Sequence, residues 1–227
     1  MQGSKSLSVL FDIGPSNVNV TSQCENGQLL IKCIVSDEPD NYTFIKWEHR
    51  SEFDEHIRFL ISDNGGELLL PKLGNIVGLE DTGIYICSVS KDFPDKKGNI
   101  TKKGKTVINL KDKPIFLCDD IIRYGKFGRK MDISAAVYTG YNITKTEVHQ
   151  YIDLHSMKID KIRIKRTYIK VKRFFYGSKI TLSAVLVSVE LRMMRQEDFT
   201  NYTLKVCNIY GCSDIKIGIR ITTSSSI

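Results

Sequence analysis

The chain has 227 residues, of which 41% are hydrophobic and only 5 are proline, so its composition excludes disorder along the whole length. The net charge of +7 is unevenly placed: residues 1–112 carry 13 Lys and Arg against 16 Asp and Glu, and residues 113–227 carry 20 against 10. Charge asymmetry of this size, −3 against +10, bears on partners and association and leaves the fold open. We place a domain boundary at Asp112–Lys113, giving an acidic domain over 1–112 and a strongly basic one over 113–227.

The cysteines and glycosylation sequons indicate an extracellular setting. The chain has six cysteines and five Asn-x-Thr sequons, a combination that favours a secreted or cell-surface glycoprotein. The expected N-glycosylation sites are Asn19, Asn41, Asn99, Asn142 and Asn201. The apolar patch Leu7–Phe11 is too short for a secretory signal, and no run approaches the roughly 18 apolar residues of a membrane span. We therefore expect a mature fragment or an ectodomain.

The first half alternates between apolar and polar residues with the period of β-strands. A polar loop with Pro94 and Gly98 is expected between the last two strands of this half. The predicted strands are Leu29–Val35, Thr43–Trp47, Glu67–Leu70 and Val107–Leu110, with the loop at Lys91–Lys103.

The stretch Leu79–Cys87 has the form Leu-x-Asp-x-Gly-x-Tyr-x-Cys, and Cys33 and the only tryptophan, Trp47, precede it. This pattern resembles the immunoglobulin superfamily, and the resemblance covers residues 29–90. It implies a β-sandwich with a core disulfide between Cys33 and Cys87 and with Trp47 packed against the sulfurs. It also implies a tyrosine corner, in which the hydroxyl of Tyr85 bonds back to the backbone.

The second half repeats this pattern without its cysteine. Asp198 and Tyr202 keep the spacing of Asp81 and Tyr85, but Leu204 stands where the core cysteine would fall. Further strands are expected at Met131–Tyr138, Thr146–Leu154 and Ile215–Ile221, the last after a turn at Asn208–Gly211. The predicted fold is therefore all-β, with two tandem immunoglobulin-like sandwiches of which the second lacks the core disulfide.

Four cysteines remain after the core pair, and three pairings are open to them. The topology that the resemblance implies gathers these cysteines near the junction of the two domains. We expect Cys207–Cys212 across the last hairpin and Cys24–Cys118 between the domains. The spacing of these cysteines does not favour a metal site.

The segment 158–173 alternates cations with Ile and Val, which predicts two basic strands joined near Arg166–Thr167. Such strands also resist edge-to-edge aggregation and aid solubility, so the charge alone does not establish a binding site. The functional hypothesis is an acidic partner: a sulfated glycosaminoglycan, an anionic membrane surface or an acidic protein. Nucleic acid is disfavoured by the extracellular indications. The candidate residues are Lys161, Arg163, Lys165, Arg166, Lys170, Lys172 and Arg173.

No motif for a nucleophile, a phosphate loop or a nucleotide cofactor is present, so we expect neither catalysis nor a cofactor. The favoured hypothesis is the ectodomain of a cell-surface receptor or adhesion protein that binds a protein partner or a second copy of itself. The alternative is a secreted factor or decoy that binds a cytokine or a sulfated glycosaminoglycan through its basic domain.

Overall fold

The structure is a computed structural model in which the chain divides into two compact units. Unit 1 comprises Met1–Ile108 and Phe174–Ile180, and unit 2 comprises Asn109–Arg173 and Thr181–Ile227. The division after Ile108 lies close to the predicted boundary at Asp112–Lys113. That Phe174–Ile180 belongs to unit 1 was not predicted from the sequence. The described residues are 18–25, 28–35, 42–62, 65–70, 78–91, 98–109, 111–152, 155–159, 162–193 and 195–222.

Unit 1 is a two-layer β-sandwich. Its two sheets have the orders β1-β2-β5 and β4-β3-β6-β7, and neighbouring strands are antiparallel. Because alternate side chains of β2 and β5 are buried, each strand turns one apolar face to the core. The strands are β1 (Val18–Glu25), β2 (Gln28–Val35), β3 (Tyr42–Arg50), β4 (His56–Leu60), β5 (Glu67–Leu70), β6 (Gly83–Lys91) and β7 (Thr101–Ile108).

The core of unit 1 has the arrangement that the resemblance implies. A disulfide joins Cys33 on β2 to Cys87 on β6, and both sulfurs belong to the buried cluster that contains Trp47. A 3₁₀ helix, Leu79–Asp81, precedes β6, and the buried hydroxyl of Tyr85 donates to the carbonyl oxygen of Asp81 at 3.0 Å. The core disulfide and the tyrosine corner are therefore confirmed.

Unit 2 is a second sandwich, with sheets ordered β13-β14-β10-β8 and β12-β11-β15-β16-β9. Strands β9 and β16 of this unit pair in parallel. The tip of the β13–β14 hairpin, Phe174–Ile180, is the part that belongs to unit 1. The strands are β8 (Ile115–Phe116), β9 (Ile121–Gly125), β10 (Arg129–Tyr138), β11 (Lys145–Ile152), β12 (His155–Lys158), β13 (Arg163–Phe175), β14 (Ser178–Met193), β15 (Asn201–Asn208) and β16 (Gly211–Ile221).

The core of unit 2 contains apolar side chains where unit 1 has its disulfide. Leu204 is fully buried on β15, and Val148 on β11 belongs to the same cluster, as do Ala135 and Val137 on β10. A second tyrosine corner is present, because the hydroxyl of Tyr202 donates to the carbonyl oxygen of Asp198 at 2.8 Å. The prediction of a second sandwich without a core disulfide is confirmed.

The remaining cysteines agree with the prediction only in part. Cys207 and Cys212 lie opposite each other across the β15–β16 hairpin and form a disulfide. Cys118 is exposed and carries a free thiol, so the predicted bond between Cys24 and Cys118 is wrong for this structure. The side chain of Cys24 lies outside the described part of the chain. The expectation failed because it inferred proximity from topology alone, and topology does not bring two sulfur atoms within bonding distance.

The predicted pair of basic strands is also wrong, because β13 runs without a break from Arg163 to Phe175. This strand has no Gly, Pro, Asn or Asp at which a tight turn would form. The break in the sequence pattern at Arg166–Tyr168 marks a shift by one residue in the alternation of exposed side chains. Before it the odd-numbered Arg163 and Lys165 are exposed, and after it the even-numbered Lys170 and Lys172 are exposed. The side chains therefore change faces within one strand.

Strand ends also differ from the predictions by a few residues. The last strand of unit 1 spans Thr101–Ile108, so Thr101–Lys103 belong to β7 and not to the predicted loop. The centre of that loop, 92–97, lies outside the described residues, as do the sequon asparagine Asn41 and the candidate cation Lys161.

Candidate interaction surfaces

The outer face of the sheet β4-β3-β6-β7 in unit 1 carries apolar side chains in register. Trp47, Tyr85 and Cys87 point into the core, so their neighbours along each strand point outward. Phe59 lies opposite Glu48, Glu48 opposite Ile86, and Ile86 opposite Lys105, which gives one row across four strands. Beside this row Ile84 lies opposite Val107. We call the outward side chains Phe59, Ile84, Ile86 and Val107 the Phe59 face.

Phe59 and Val107 are 54% and 56% exposed, which is high for large apolar side chains. Cations flank them: the ammonium group of Lys46 lies 3.7 Å from the centroid of the Phe59 ring, and Lys103 and Lys105 are exposed on β7. The Lys46 contact is a cation–π interaction, which favours the ring position seen here. The Phe59 face is therefore a strip of two exposed and two half-buried apolar side chains with a cationic border.

Glu48 links two strands of this sheet through an ion pair with Arg50 and a hydrogen bond with His56. Its carboxylate lies 2.9 Å from Nε of Arg50 and 3.0 Å from Nδ1 of His56. Burial alone would raise the pKa of Glu48, but the hydrogen bonds from Arg50 and His56 outweigh it and lower the pKa below its usual value. The carboxylate therefore stays ionised on the Phe59 face.

A buried polar cluster lies at one end of unit 1, around the tyrosine corner. The guanidinium of Arg58 pairs with the buried carboxylate of Asp81 at 2.9 Å, and the hydroxyl of Tyr176 donates to the same carboxylate oxygen. Arg58 also stacks on the Tyr176 ring at 3.4 Å from its centroid. Sequence reasoning assigned Asp81 only a role in the turn, because nothing in the local pattern indicates its distant partners.

His49 is the other polar side chain that the sequence did not single out. It is completely buried, its ring stacks on Tyr85 with centroids 4.4 Å apart, and its Nε2 lies 2.9 Å from the carbonyl oxygen of Thr82. The neutral ring therefore carries its proton on Nε2 and donates it to that oxygen. Burial lowers the pKa of His49 to about 4, so the ring is neutral at physiological pH.

In unit 2 the predicted polyanion-binding residues other than Lys161, which lies outside the described residues, are on β13, at the edge of its sheet. Arg163, Lys165, Arg166, Lys170 and Lys172 are exposed, and Arg173 is half-buried. These residues were predicted to lie on two strands, and the structure places them along one. At about 3.3 Å per residue, the span from Arg163 to Lys172 is about 30 Å. We call β13 the basic strand.

Four of the five sequon asparagines lie in the described part of the chain, and all four are exposed: Asn19, Asn99, Asn142 and Asn201. Asn19 lies on β1 and Asn201 begins β15, whereas Asn142 lies in the turn before β11. Each position leaves the side chain accessible at the surface, as a glycan requires.

Across the described residues, no group of three or more His, Cys, Asp or Glu side chains could hold a metal ion. Within the same residues no helix has the length and apolar character that crossing a membrane requires.

Comparison with known proteins gives no sequence relative: no family model and no curated protein matches the chain. Among solved structures, Drosophila OTK extracellular domains 3–5 are 10% identical, with a TM-score of 0.49 over 92% of this chain and 67% of that one. Dpr2 Ig1–Ig2 in complex with DIP-Theta Ig1–Ig3 is 13% identical, with a TM-score of 0.48 over 90% of this chain and 66% of that one. The titin tandem A164–A165 is 15% identical, with a TM-score of 0.40 over 86% and 87% of the two chains.

Proposed function

We propose that the protein is an extracellular recognition module that binds a protein partner through the Phe59 face of unit 1, and that it acts by binding and not by catalysis. The observation that carries the proposal is the exposure of two large apolar side chains, Phe59 and Val107, on the outer face of one ordered sheet. Contiguous apolar surface on a folded domain is costly in water, and it commonly marks an interaction site. Two disulfides support an oxidising, extracellular location, at the cell surface or secreted.

The composition of the face suits a protein partner. Protein interfaces are enriched in aromatic side chains at their centre and place charged groups at the rim. Here Phe59 occupies the strip, while Lys103 and Lys105 lie toward its border on β7. A partner with apolar side chains inside an acidic rim would match both features. The opposite net charges of residues 1–112 and 113–227 make a second copy of this chain the first partner to test.

The test is self-association by sedimentation equilibrium at low and high salt, with matched pairs of variants. Phe59→Asp with Val107→Asp alters the Phe59 face, and Ile34→Asp with Leu69→Asp is the control. Ile34 and Leu69 are 45% and 49% exposed on the other sheet of the same unit. We expect the Phe59→Asp and Val107→Asp double variant to raise the dissociation constant for self-association about tenfold or more. The control double variant should leave that constant within about twofold of the parent value.

The salt series and a panel of partners separate the outcomes. Association between oppositely charged regions weakens as salt rises. If the protein stays monomeric at every concentration and ionic strength, binding to a second copy of the chain is contradicted. The same comparison of the two double variants against a panel of purified cell-surface ectodomains then tests the face itself. Equal losses of binding for the two double variants would contradict its role.

A second candidate function is the binding of an extended polyanion, such as a sulfated glycosaminoglycan, to the basic strand. The specific support is the run of exposed cations on a single strand, with no Asp or Glu between Arg163 and Arg173. Because the cations extend over about 30 Å, the ligand that uses all of them is a polymer and not a single small anion. A secreted protein that binds a cytokine or a sulfated polysaccharide would use the same strand.

Retention on heparin resin tests this function with a charge-matched control. Lys170→Ser with Lys172→Ser removes two cations from the basic strand, and Lys103→Ser with Lys105→Ser removes two from β7. Both pairs are exposed and spaced two residues apart on a strand. We expect the β13 pair to elute at clearly lower salt than the β7 pair, because electrostatic binding follows local charge. Equal shifts would show that retention reports only the net charge.

A further inference from the structure

Two cavities open on the surface of unit 2, and each is lined by the asparagine of a sequon. One, of about 410 Å³, lies between the turn before β11 and the middle of the basic strand, and its lining includes Tyr141, Asn142, Arg166 and Tyr168. The other, of about 420 Å³, includes Tyr151 and Asn201 in its lining. We call them the Asn142 cleft and the Asn201 cleft. Both volumes lie in the range of sites that bind small molecules or sugars.

The Asn142 cleft has an origin in the fold. Strand β12 pairs only with His149–Ile152, so among the described residues the first part of β11 has no strand neighbour on that side. At the same level the exposure pattern changes phase in β13, at Arg166–Tyr168, and in β14, at Ala184–Val185. The short strand and the two phase changes together leave an opening at the edge of the sandwich.

The rim of the Asn142 cleft is held in place by Arg166. Its guanidinium donates to the carbonyl oxygen of Ile143 at 3.1 Å and to Oγ1 of Thr146 at 2.9 Å. A guanidinium has five N–H donors, so donors remain for an acceptor placed in the cleft. Because these two bonds already fix the side chain, a ligand would not need to order it.

Two tyrosine side chains lie at the rim of the Asn142 cleft, one exposed and one half-buried. Tyr168 is 85% exposed, although it stands on a strand whose other exposed residues are Lys, Arg and Thr before Phe174. Tyr141 packs edge-on against Tyr210, with ring centroids 4.8 Å apart. An amphipathic ring of this kind presents an apolar face that suits the C–H face of a pyranose, while its hydroxyl reaches polar groups.

The Asn201 cleft repeats this combination on the other sheet. Asn201 is exposed, and its Oδ1 accepts a hydrogen bond from Arg220 at 3.0 Å. A glycan is joined through Nδ2, so the bond from Arg220 to Oδ1 is compatible with glycosylation and orients the amide. Tyr151 is partly exposed beside it, and its hydroxyl accepts from Thr203.

We propose that these clefts are seats for the chain's own N-linked glycans, so that the first N-acetylglucosamine on Asn142 covers one cleft and that on Asn201 covers the other. The ring on Asn142 packs against Tyr168, and its hydroxyl and acetamide groups accept from Arg166. The glycans thereby stabilise unit 2 and cover apolar surface. This rests on the extracellular setting proposed above but does not depend on which face binds a partner.

Asn19 supplies the internal control. It is an exposed sequon asparagine near the start of β1, opposite Ile34 in the β1–β2 pairing, and it lines neither cleft. A glycan there has no cleft of this kind to occupy, so its loss should not affect folding stability in the same way.

The experiment uses the full chain secreted from a glycosylating host, with every glycan trimmed enzymatically to one N-acetylglucosamine. Peptide mass spectrometry gives the occupancy of each sequon, and thermal unfolding compares Asn142→Gln, Asn201→Gln and Asn19→Gln with the parent. We expect both unit 2 sites to be occupied, and each unit 2 variant to melt about 3 °C lower, with no comparable change for Asn19→Gln. In a Tyr168→Ser background the effect of Asn142→Gln should disappear, while that of Asn201→Gln should persist.

Three results would overturn the proposal. The first is an unoccupied Asn142 or Asn201 in the secreted protein. The second is an equal shift for Asn19→Gln and Asn142→Gln, or a shift for Asn142→Gln that Tyr168→Ser leaves unchanged. The third is an unchanged melting temperature in Asn142→Gln, together with new binding of a heparin-derived disaccharide, which would make the cleft a site for an external ligand. None of these results bears on the Phe59 variants, so the two proposals fail separately.

Discussion

The two units share one architecture but hold their sheets together by different means. In unit 1 a disulfide between Cys33 and Cys87 crosses from one sheet to the other within the cluster that contains Trp47. In unit 2 the corresponding position on β15 is the buried Leu204, and no cysteine of its core cluster joins the two sheets. Both units keep the tyrosine corner. Apolar packing in unit 2 therefore takes the place of the disulfide of unit 1. The buried tyrosine hydroxyl, in contrast, is present in both units.

The largest expected effect comes from removing each disulfide. The Cys33–Cys87 bond closes a loop with a sequence separation of 54, and the Cys207–Cys212 bond closes one of 5. From loop entropy alone, Cys33→Ala with Cys87→Ala should cost about 4 kcal/mol, and Cys207→Ala with Cys212→Ala about 2 kcal/mol. Urea unfolding followed by fluorescence and by circular dichroism measures both losses.

The single tryptophan makes the two units separable in this measurement. Trp47 lies in unit 1, so its fluorescence reports the unfolding of that unit, while circular dichroism reports both. We expect the first pair of substitutions to shift the fluorescence transition and the second pair to leave it in place. If the Cys207 and Cys212 substitutions shift the fluorescence transition, the expectation that this disulfide stabilises unit 2 alone is wrong.

The second prediction concerns the residue that replaces the cysteine. Leu204 is fully buried among apolar side chains of both sheets, so Leu204→Ala should leave a cavity and cost about 3 kcal/mol in unit 2. Leu69→Ala, on an exposed position of unit 1, is the control and should change stability by less than about 0.5 kcal/mol. A loss for Leu204→Ala no greater than that of the control would show that Leu204 does not replace the disulfide in function.

Motifs with fixed spacing made the cores predictable from the sequence. Cys33, Trp47, Tyr85 and Cys87 act through local geometry and strand parity, and the same spacing located Leu204. The prediction for Cys118 failed because a disulfide depends on distances that topology does not determine. The partners of Asp81 were also beyond the sequence, since Arg58 is 23 positions away and Tyr176 is 95.

The surfaces were harder to predict than the cores. The cationic residues of the basic strand are evident in the sequence, but their change of face at Arg166–Tyr168 looked like a turn. The Phe59 face depends on which residues of four strands lie opposite one another, and this register is not encoded in any one segment. The two clefts depend on the short length of β12 and on phase changes in two other strands, so no motif indicates them.

A third prediction uses a buried side chain that distinguishes unit 1. Burial lowers the pKa of His49 to about 4 from an ordinary value of 6.5, so between these values the unfolded chain binds a proton that the folded chain does not. Stability therefore falls as the pH drops from about 6.5 toward 4, by at most about 3 kcal/mol, and this loss of stability is absent above pH 7. Urea unfolding followed by Trp47 fluorescence across this pH range measures the loss.

The control for this prediction separates His49 from the carboxylates that also titrate in acid. His49→Gln removes the titrating ring, so the slope of stability against pH between 4.5 and 6.5 should become smaller in the variant. If the variant does not fold, NMR titration of His49 in the parent protein gives the same information directly. A histidine that titrates near 6.5, or an unchanged slope in the variant, would rule out the buried ring as the source.

The smallest expected effect tests the feature that the two units share. Tyr85→Phe and Tyr202→Phe each remove one buried hydroxyl, whose bond to a carbonyl oxygen is 3.0 Å long in unit 1 and 2.8 Å in unit 2. Because the ring stays in place, each loss should be about 1 kcal/mol, and it should be nearly equal in the two units. Trp47 fluorescence should detect the Tyr85 variant only. A clearly larger loss for Tyr202→Phe would mean that the unit without a core disulfide depends more strongly on its tyrosine corner.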